Sequence, residues 1–146
     1  MYRISLILTL LTAAACLKAQ VPSFELRPMP EQYQDVRPTV LFQASNRYVW
    51  VGTEKGLFRF NGLDYQPFLM ADSVCNNQVT AIGEIDGRLW VGYEDGCVFR
   101  QAGSMFKLWH IEEGLPKAPI TGFGQGENSV IWIATYGEGL YYYNGR

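Results

Sequence analysis

Apolar residues fall along this chain in short bursts. Runs of four to seven, rich in Val, Ile, Tyr, Phe and Trp, are broken by Asn61-Gly62, Asp86-Gly87, Asp95-Gly96 and Asn144-Gly145. β-branched and aromatic residues suit a pleated, half-buried surface, so these runs predict strands. Asx-Gly pairs supply the positive φ angles that tight hairpins need. No stretch after residue 19 sustains a 3.6-residue period with caps, so almost no helix is expected there.

The bursts repeat. RYVWVGTEKGLFRFNG, GRLWVGYEDGCVFRQAG and SVIWIATYGEGLYYYNG align on Trp50, Trp90 and Trp132, which lie 40 and 42 residues apart. A glycine follows each tryptophan, at Gly56, Gly96 and Gly139, and the third copy carries one extra residue in its turn. In the second unit the predicted strands A to D cover residues 78–85, 88–93, 96–101 and 105–110. The D strand of the first unit covers residues 65–70. Tyr65 and Phe106 both fall three residues after a glycine, and Phe68 and Trp109 both fall six after. That second alignment is independent of the tryptophan and glycine positions. A unit of about 40 residues with four strands matches one β-propeller blade.

The expected fold is all-β, with three four-stranded antiparallel repeats at 38–77, 78–117 and 118–146, the third lacking strand D. The three tryptophans should be buried at equivalent places between neighbouring blades. Propellers typically close with four to eight blades, so three repeats imply the amino-terminal piece of a larger propeller, or self-association through open edges. Within the amino-terminal segment 20–37, residues 24–27 could be a strand donated to a closing blade.

The leader changes the picture of location. Arg3 precedes an uncharged apolar run from Ile4 to Ala15, and Leu17-Lys18-Ala19 ends on a small residue. The run is too short for a bilayer span and has the layout of a secretory signal peptide, residues 1–19. Cleavage is expected after Ala19, giving an exported, periplasmic chain. A rival arrangement makes Cys16 a lipid-bearing cysteine, but the usual Leu three residues before it is missing. Cys75 and Cys97 then remain, and an oxidising compartment would let them pair. The sequence alone brings nothing to bear on their distance, so pairing stays open.

The W-[VI]-[GA]-x-x-x-G-L pattern resembles the two-component regulator propeller repeat. Trp50-Val51-Gly52-Thr53 with Gly56-Leu57-Phe58 carries the resemblance, as does Trp132-Ile133-Ala134-Thr135 with Gly139-Leu140-Tyr141. Glu113-Gly114-Leu115-Pro116 is similar to the family's linker. The middle copy departs, with Tyr93 at the Thr position and Cys97 at the Leu position. The resemblance implies the extracytoplasmic sensor region of a bacterial hybrid histidine kinase. Its implied partners are further blades and a kinase module in a longer chain. Its implied ligand is an oligosaccharide. The competing function is a secreted carbohydrate-binding or protein-interaction propeller without a kinase.

Composition and chemistry narrow the classes. Formal net charge is −2, with 18% charged residues, so a nucleic-acid surface is not expected. One His and three Cys cannot build a four-Cys zinc site or a disulfide scaffold, and no metal or cofactor is expected. His110 could pair with a cysteine only on paper. Neighbouring acids such as Glu112-Glu113 and Glu94-Asp95 point to opposite faces on a strand, which is poor geometry for acid–base work. Asp86-Gly87-Arg88-Leu89-Trp90 is only faintly similar to a sialidase Asp-box, lacking the leading Ser. The glycines at 122–126 precede a strand, not a phosphate-binding helix. No enzyme is expected. In a four-stranded meander the B–C turns and D–A links share one rim. Lys55, Tyr93, Glu94, Asp95, Tyr136 and Glu138 fall there and form the candidate ligand site, with aromatics to stack on sugar rings and polar groups to bind hydroxyls.

Overall fold

The computed structural model describes residues 23–68, 70, 75–109, 114 and 116–145. The leader, Cys16, His110 and Glu112-Glu113 lie outside them. Eleven strands are present, and no α-helix occurs among the described residues. Strands β1 (Pro38–Gln43), β2 (Val49–Thr53), β3 (Gly56–Phe60) and β4 (Tyr65–Phe68) form the first sheet in chain order. Strands β5 (Val79–Ile85), β6 (Arg88–Tyr93), β7 (Val98–Ala102) and β8 (Met105–Leu108) form the second. Strands β9 (Ile120–Gln125), β10 (Ile131–Thr135) and β11 (Gly139–Tyr143) form a three-stranded third sheet.

The registers superimpose. Trp50 pairs with Phe42 and Arg59, Trp90 with Gly83 and Arg100, and Trp132 with Gly124 and Tyr142. The strand period of two then sorts each sheet into two faces. One face of the first sheet carries Trp50 and Gly52, and it meets the second sheet, where Trp50 lies edge-on to Phe106 at 5.5 Å. The same face of the second sheet carries Trp90 and Gly92 and meets Phe123 and Ile120 of the third. These two seams hold most of the core.

Gly52 and Gly92 permit the close approach. A Cβ on Gly52 would stand 2.6 Å from Val79 Cγ1, and one on Gly92 would stand 2.5 Å from Ile120 Cβ. The third repeat carries Ala134 at this position. On the rim of the A–B turns a polar clasp repeats across both seams. Ser45 donates from its backbone N–H and its hydroxyl to Glu84. Asp86, 41 residues after Ser45, accepts from the Gln125 side-chain amide, and Gln125 is likewise 41 after Glu84.

Two expectations are corrected. Trp50 and Trp90 are 2% exposed, but Trp132 is 40% exposed. Burial of the repeated tryptophan requires a following sheet, and none among the described residues lies on that side of β10. Leu140 and Tyr142 share this open face. Residues 24–27 form no strand, and Phe24 and Leu26 are exposed; the Arg27 carbonyl accepts from the Tyr65 hydroxyl of β4 at 2.9 Å, with no backbone ladder to that edge strand. Instead Met29, Tyr33 and Val36 pack on Val51 and Phe58 and cover the outer face of the first sheet.

Candidate functional site

The candidate rim is built by three B–C turns and the chain leading into each A strand. In every repeat the residue that opens the turn donates its backbone N–H to the carbonyl just before strand A. Glu54 donates to Arg37 at 3.2 Å, Glu94 to Gln78 at 3.1 Å and Tyr136 to Pro119 at 2.9 Å. Thr53 and Thr135 fold their hydroxyls back onto the carbonyls of Gly56 and Gly139. These glycines and Gly96 have φ of 128°, 91° and 84°, which L side chains disfavour. Gly96 is doubly constrained, because a Cβ there would meet the Pro116 carbonyl oxygen at 2.2 Å.

Two of the three candidate acids fasten these turns. Asp95 accepts from the backbone N–H of Asn76 at 2.6 Å and of Cys97 at 3.2 Å. Glu138 occupies the matching place and accepts from the Lys117 N–H at 3.3 Å and the Tyr141 hydroxyl at 2.8 Å. Asn76 and Lys117 each lie three residues before their A strand, so the same tie is made twice. By accepting this hydrogen bond, Glu138 holds the proton on the Tyr141 hydroxyl and pushes its pKa up. Glu94 takes a long 3.4 Å contact from the Asn76 amide. In the first repeat Lys55 stands where an acid stands in the others, and the tie passes to Glu54, which pairs with Arg37 at 2.9 Å.

Tyr93, unlike the other candidate residues, is buried and not exposed on the rim. It ends β6 on the face of Leu89 and Val91, is 2% exposed, and packs edge-on to Phe99. Its hydroxyl is buried without a hydrogen-bond partner. Burial, assisted by the Asp95 charge, pushes its pKa far above the usual phenol value. Strand alternation carried this information, because Leu89, Val91 and Tyr93 are spaced by two. Lys55 and Tyr136 are exposed on the rim, with Tyr136 76% exposed.

A disulfide joins Cys75 to Cys97, with Cα atoms 6.1 Å apart. It ties the link entering the second A strand to the turn closing its B–C hairpin. Asp95 lies within 4.8 Å of both sulfurs, but these are bonded to each other and offer no thiolate for a metal. The sequence did not single out Arg37, Asn76 or Gln78. With Pro38, Thr39 and Glu54, Arg37 and Gln78 line a polar cleft of about 290 Å³ between the first two blades. The recurring three-residue offset from strand A was the available clue to Asn76 and Lys117.

Several solved bacterial proteins share this arrangement. The extracellular domain of BT3049 from B. thetaiotaomicron, assigned to the hybrid two-component systems, is 22% identical with a TM-score of 0.66. The match covers 86% of this chain and 18% of that one. The extracellular domain of BT4673 from the same organism, assigned to the one-component systems, is 20% identical with a TM-score of 0.64, over 83% and 16% of the two chains. A catalytically inactive virginiamycin B lyase from Staphylococcus aureus, solved with quinupristin, is 17% identical with a TM-score of 0.60, over 83% and 45%. This chain thus spans less than a fifth of the length of the two extracellular domains. No family model and no curated protein matches it. The three stacked antiparallel sheets and these likenesses establish an all-β, propeller-like fold.

Proposed function

We propose that these blades belong to the extracytoplasmic, ligand-sensing propeller of a two-component signalling protein, and that the ligand is an oligosaccharide. The observation that carries this reading is a constant scaffold with divergent turns. Strand registers repeat across the three sheets, while Glu54-Lys55, Glu94-Asp95 and Tyr136-Gly137-Glu138 differ on one rim. A rigid frame with variable loops is how binding sites are grafted onto shared folds. The likeness to the extracellular domains of BT3049 and BT4673 supports the sensor role. The leader at 1–19 supports export to the periplasm.

Within this proposal Tyr136 is the stacking aromatic. Lys55 and Glu94 supply polar contacts, and Asp95 and Glu138 shape the turns. The blades bind and do not catalyse. Remaining blades and a kinase module in a longer chain would complete the machine.

Cell fractionation tests the assignment. An antibody against these blades should detect a membrane-bound species well above 16.5 kDa, whose autophosphorylation responds to an oligosaccharide panel. A soluble exported protein of this size would favour a secreted carbohydrate-binding propeller instead. In the membrane protein, Tyr136→Ala should weaken oligosaccharide binding roughly five- to thirtyfold, as loss of an aromatic contact of about 1–2 kcal/mol would.

A further inference from the structure

The second sheet carries a row of cations that the first sheet does not. In the first repeat Arg59 stands opposite Trp50, its guanidinium 4.4 Å from the Tyr48 ring centroid and hydrogen-bonded to Gln66 across β3 and β4. The aromatic face and the amide oxygen satisfy that charge. In the second repeat Arg100 takes the place of Arg59, opposite Trp90 and 5.7 Å from its ring centroid. Tyr48 is replaced by Arg88, two residues before the tryptophan in both repeats, and Gln66 by Lys107, the register partner of Arg100. A ring and an acceptor have both become cations.

These side chains share one face. Arg88 and Trp90 are spaced by two on β6, and cross-strand partners point the same way, so Arg88 and Arg100 are diagonal neighbours at about 7–8 Å between backbones. Like charges at that spacing repel, and an anion between them would relieve the repulsion. The ion pairs among the described residues are Arg27–Glu25 and Arg37–Glu54, and neither touches this row. The nearest acid along the chain, Asp86, is held by Gln125. Arg88 and Arg100 line an open cleft of about 440 Å³ with Gly87, Gln101, Ala102 and Gly103, and no acid among the described residues lines it. Gln101 is fixed by its bonds to the Leu89 N–H and the Gly103 carbonyl, so the floor of the cleft is shaped.

We propose that Arg88 and Arg100 form a binding site for the oxyanion of a small ligand, a carboxylate or a sulfate, with Lys107 adding to its positive field. Guanidinium forks match such groups bidentately. The cleft lies by the A–B and C–D turns, on the rim opposite the proposed oligosaccharide face, and does not depend on the sensor assignment.

Calorimetric titration of the full chain tests it with three probes: sodium sulfate, digalacturonate and neutral digalactose. Sulfate or digalacturonate should bind, with affinity falling as sodium chloride is raised. Digalactose should not bind at this site. Binding of sulfate identifies a free oxyanion as sufficient, whereas binding of digalacturonate alone identifies an acidic sugar. Arg88→Tyr restores the first-repeat arrangement and should weaken binding at least roughly tenfold, as loss of a charge-assisted contact does. Arg88 is exposed, so circular dichroism and the melting temperature should hold in this variant. Failure of both acidic probes to bind, or equal binding by Arg88→Tyr, would overturn the proposal.

Discussion

Gly92→Ala should destabilise the chain at the seam between the second and third sheets. The added Cβ would lie 2.5 Å from Cβ and Cγ2 of Ile120, a residue with no exposed surface. Carbon atoms rest at about 3.5–4.0 Å, so β9 must retreat by about 1 Å or more. Both contacted atoms sit at or next to the backbone, and rotamer change cannot clear them. Overpacking of a filled core costs about 1–3 kcal/mol, and the entropic gain of Ala over Gly, about 0.5–1 kcal/mol, offsets part of it. A net loss of about 1–2 kcal/mol would lower the urea midpoint by roughly half to one molar. Gly122→Ala is the control. Gly122 lies in β9, with nothing within 4 Å of its added Cβ, so its midpoint should hold or rise. Equal midpoints for wild type and Gly92→Ala, or an equal drop in Gly122→Ala, would refute the close-approach argument.

Other consequences follow from the rim and the core. Replacing Cys75 and Cys97 by serine should cost about 3 kcal/mol, given the 22-residue separation, and non-reducing peptide mapping should recover the 75–97 cross-link from the wild type. Tyr93→Ala should cost about 3–5 kcal/mol in a urea melt, because a buried ring is lost. Tyr93→Phe removes an unpartnered buried hydroxyl and should match or exceed the wild type. The folded pKa of Tyr93 is raised above its ordinary value of 10.0, so its contribution is full below that pH and is lost as pH rises through the folded pKa. Melting temperature should therefore fall more steeply in alkali for the wild type than for Tyr93→Phe.

The sequence located the strands well because the aromatic bursts and Asx-Gly turns act locally. The second B strand falls at Arg88–Tyr93, as its alternation predicts, and Asp86 and Gly87 both take the positive φ of a tight hairpin. Burial was less legible, because it depends on neighbours. Trp132 has the same local pattern as Trp50 and Trp90, yet its exposure is set by what stacks on β10. Tyr93 stands beside the turn, yet its burial follows from its place in the Leu89-Val91-Tyr93 alternation. Asp95 and Glu138 were legible as turn acids, but their backbone partners were not. Asn76 and Lys117 are brought to them only when strand A folds beside strand B.

Hydrogen-exchange mass spectrometry on the protein, with and without each member of a panel of neutral oligosaccharides, tests the proposed ligand-sensing rim most directly. Protection should rise over the turns at Lys55 and at Tyr136–Glu138 and over the chain at 116–119, where three tied loops converge on one rim. The strands should be unchanged. Protection confined to the opposite rim, around Asp86-Gly87 and Gly103, or no change anywhere in these blades, would contradict it.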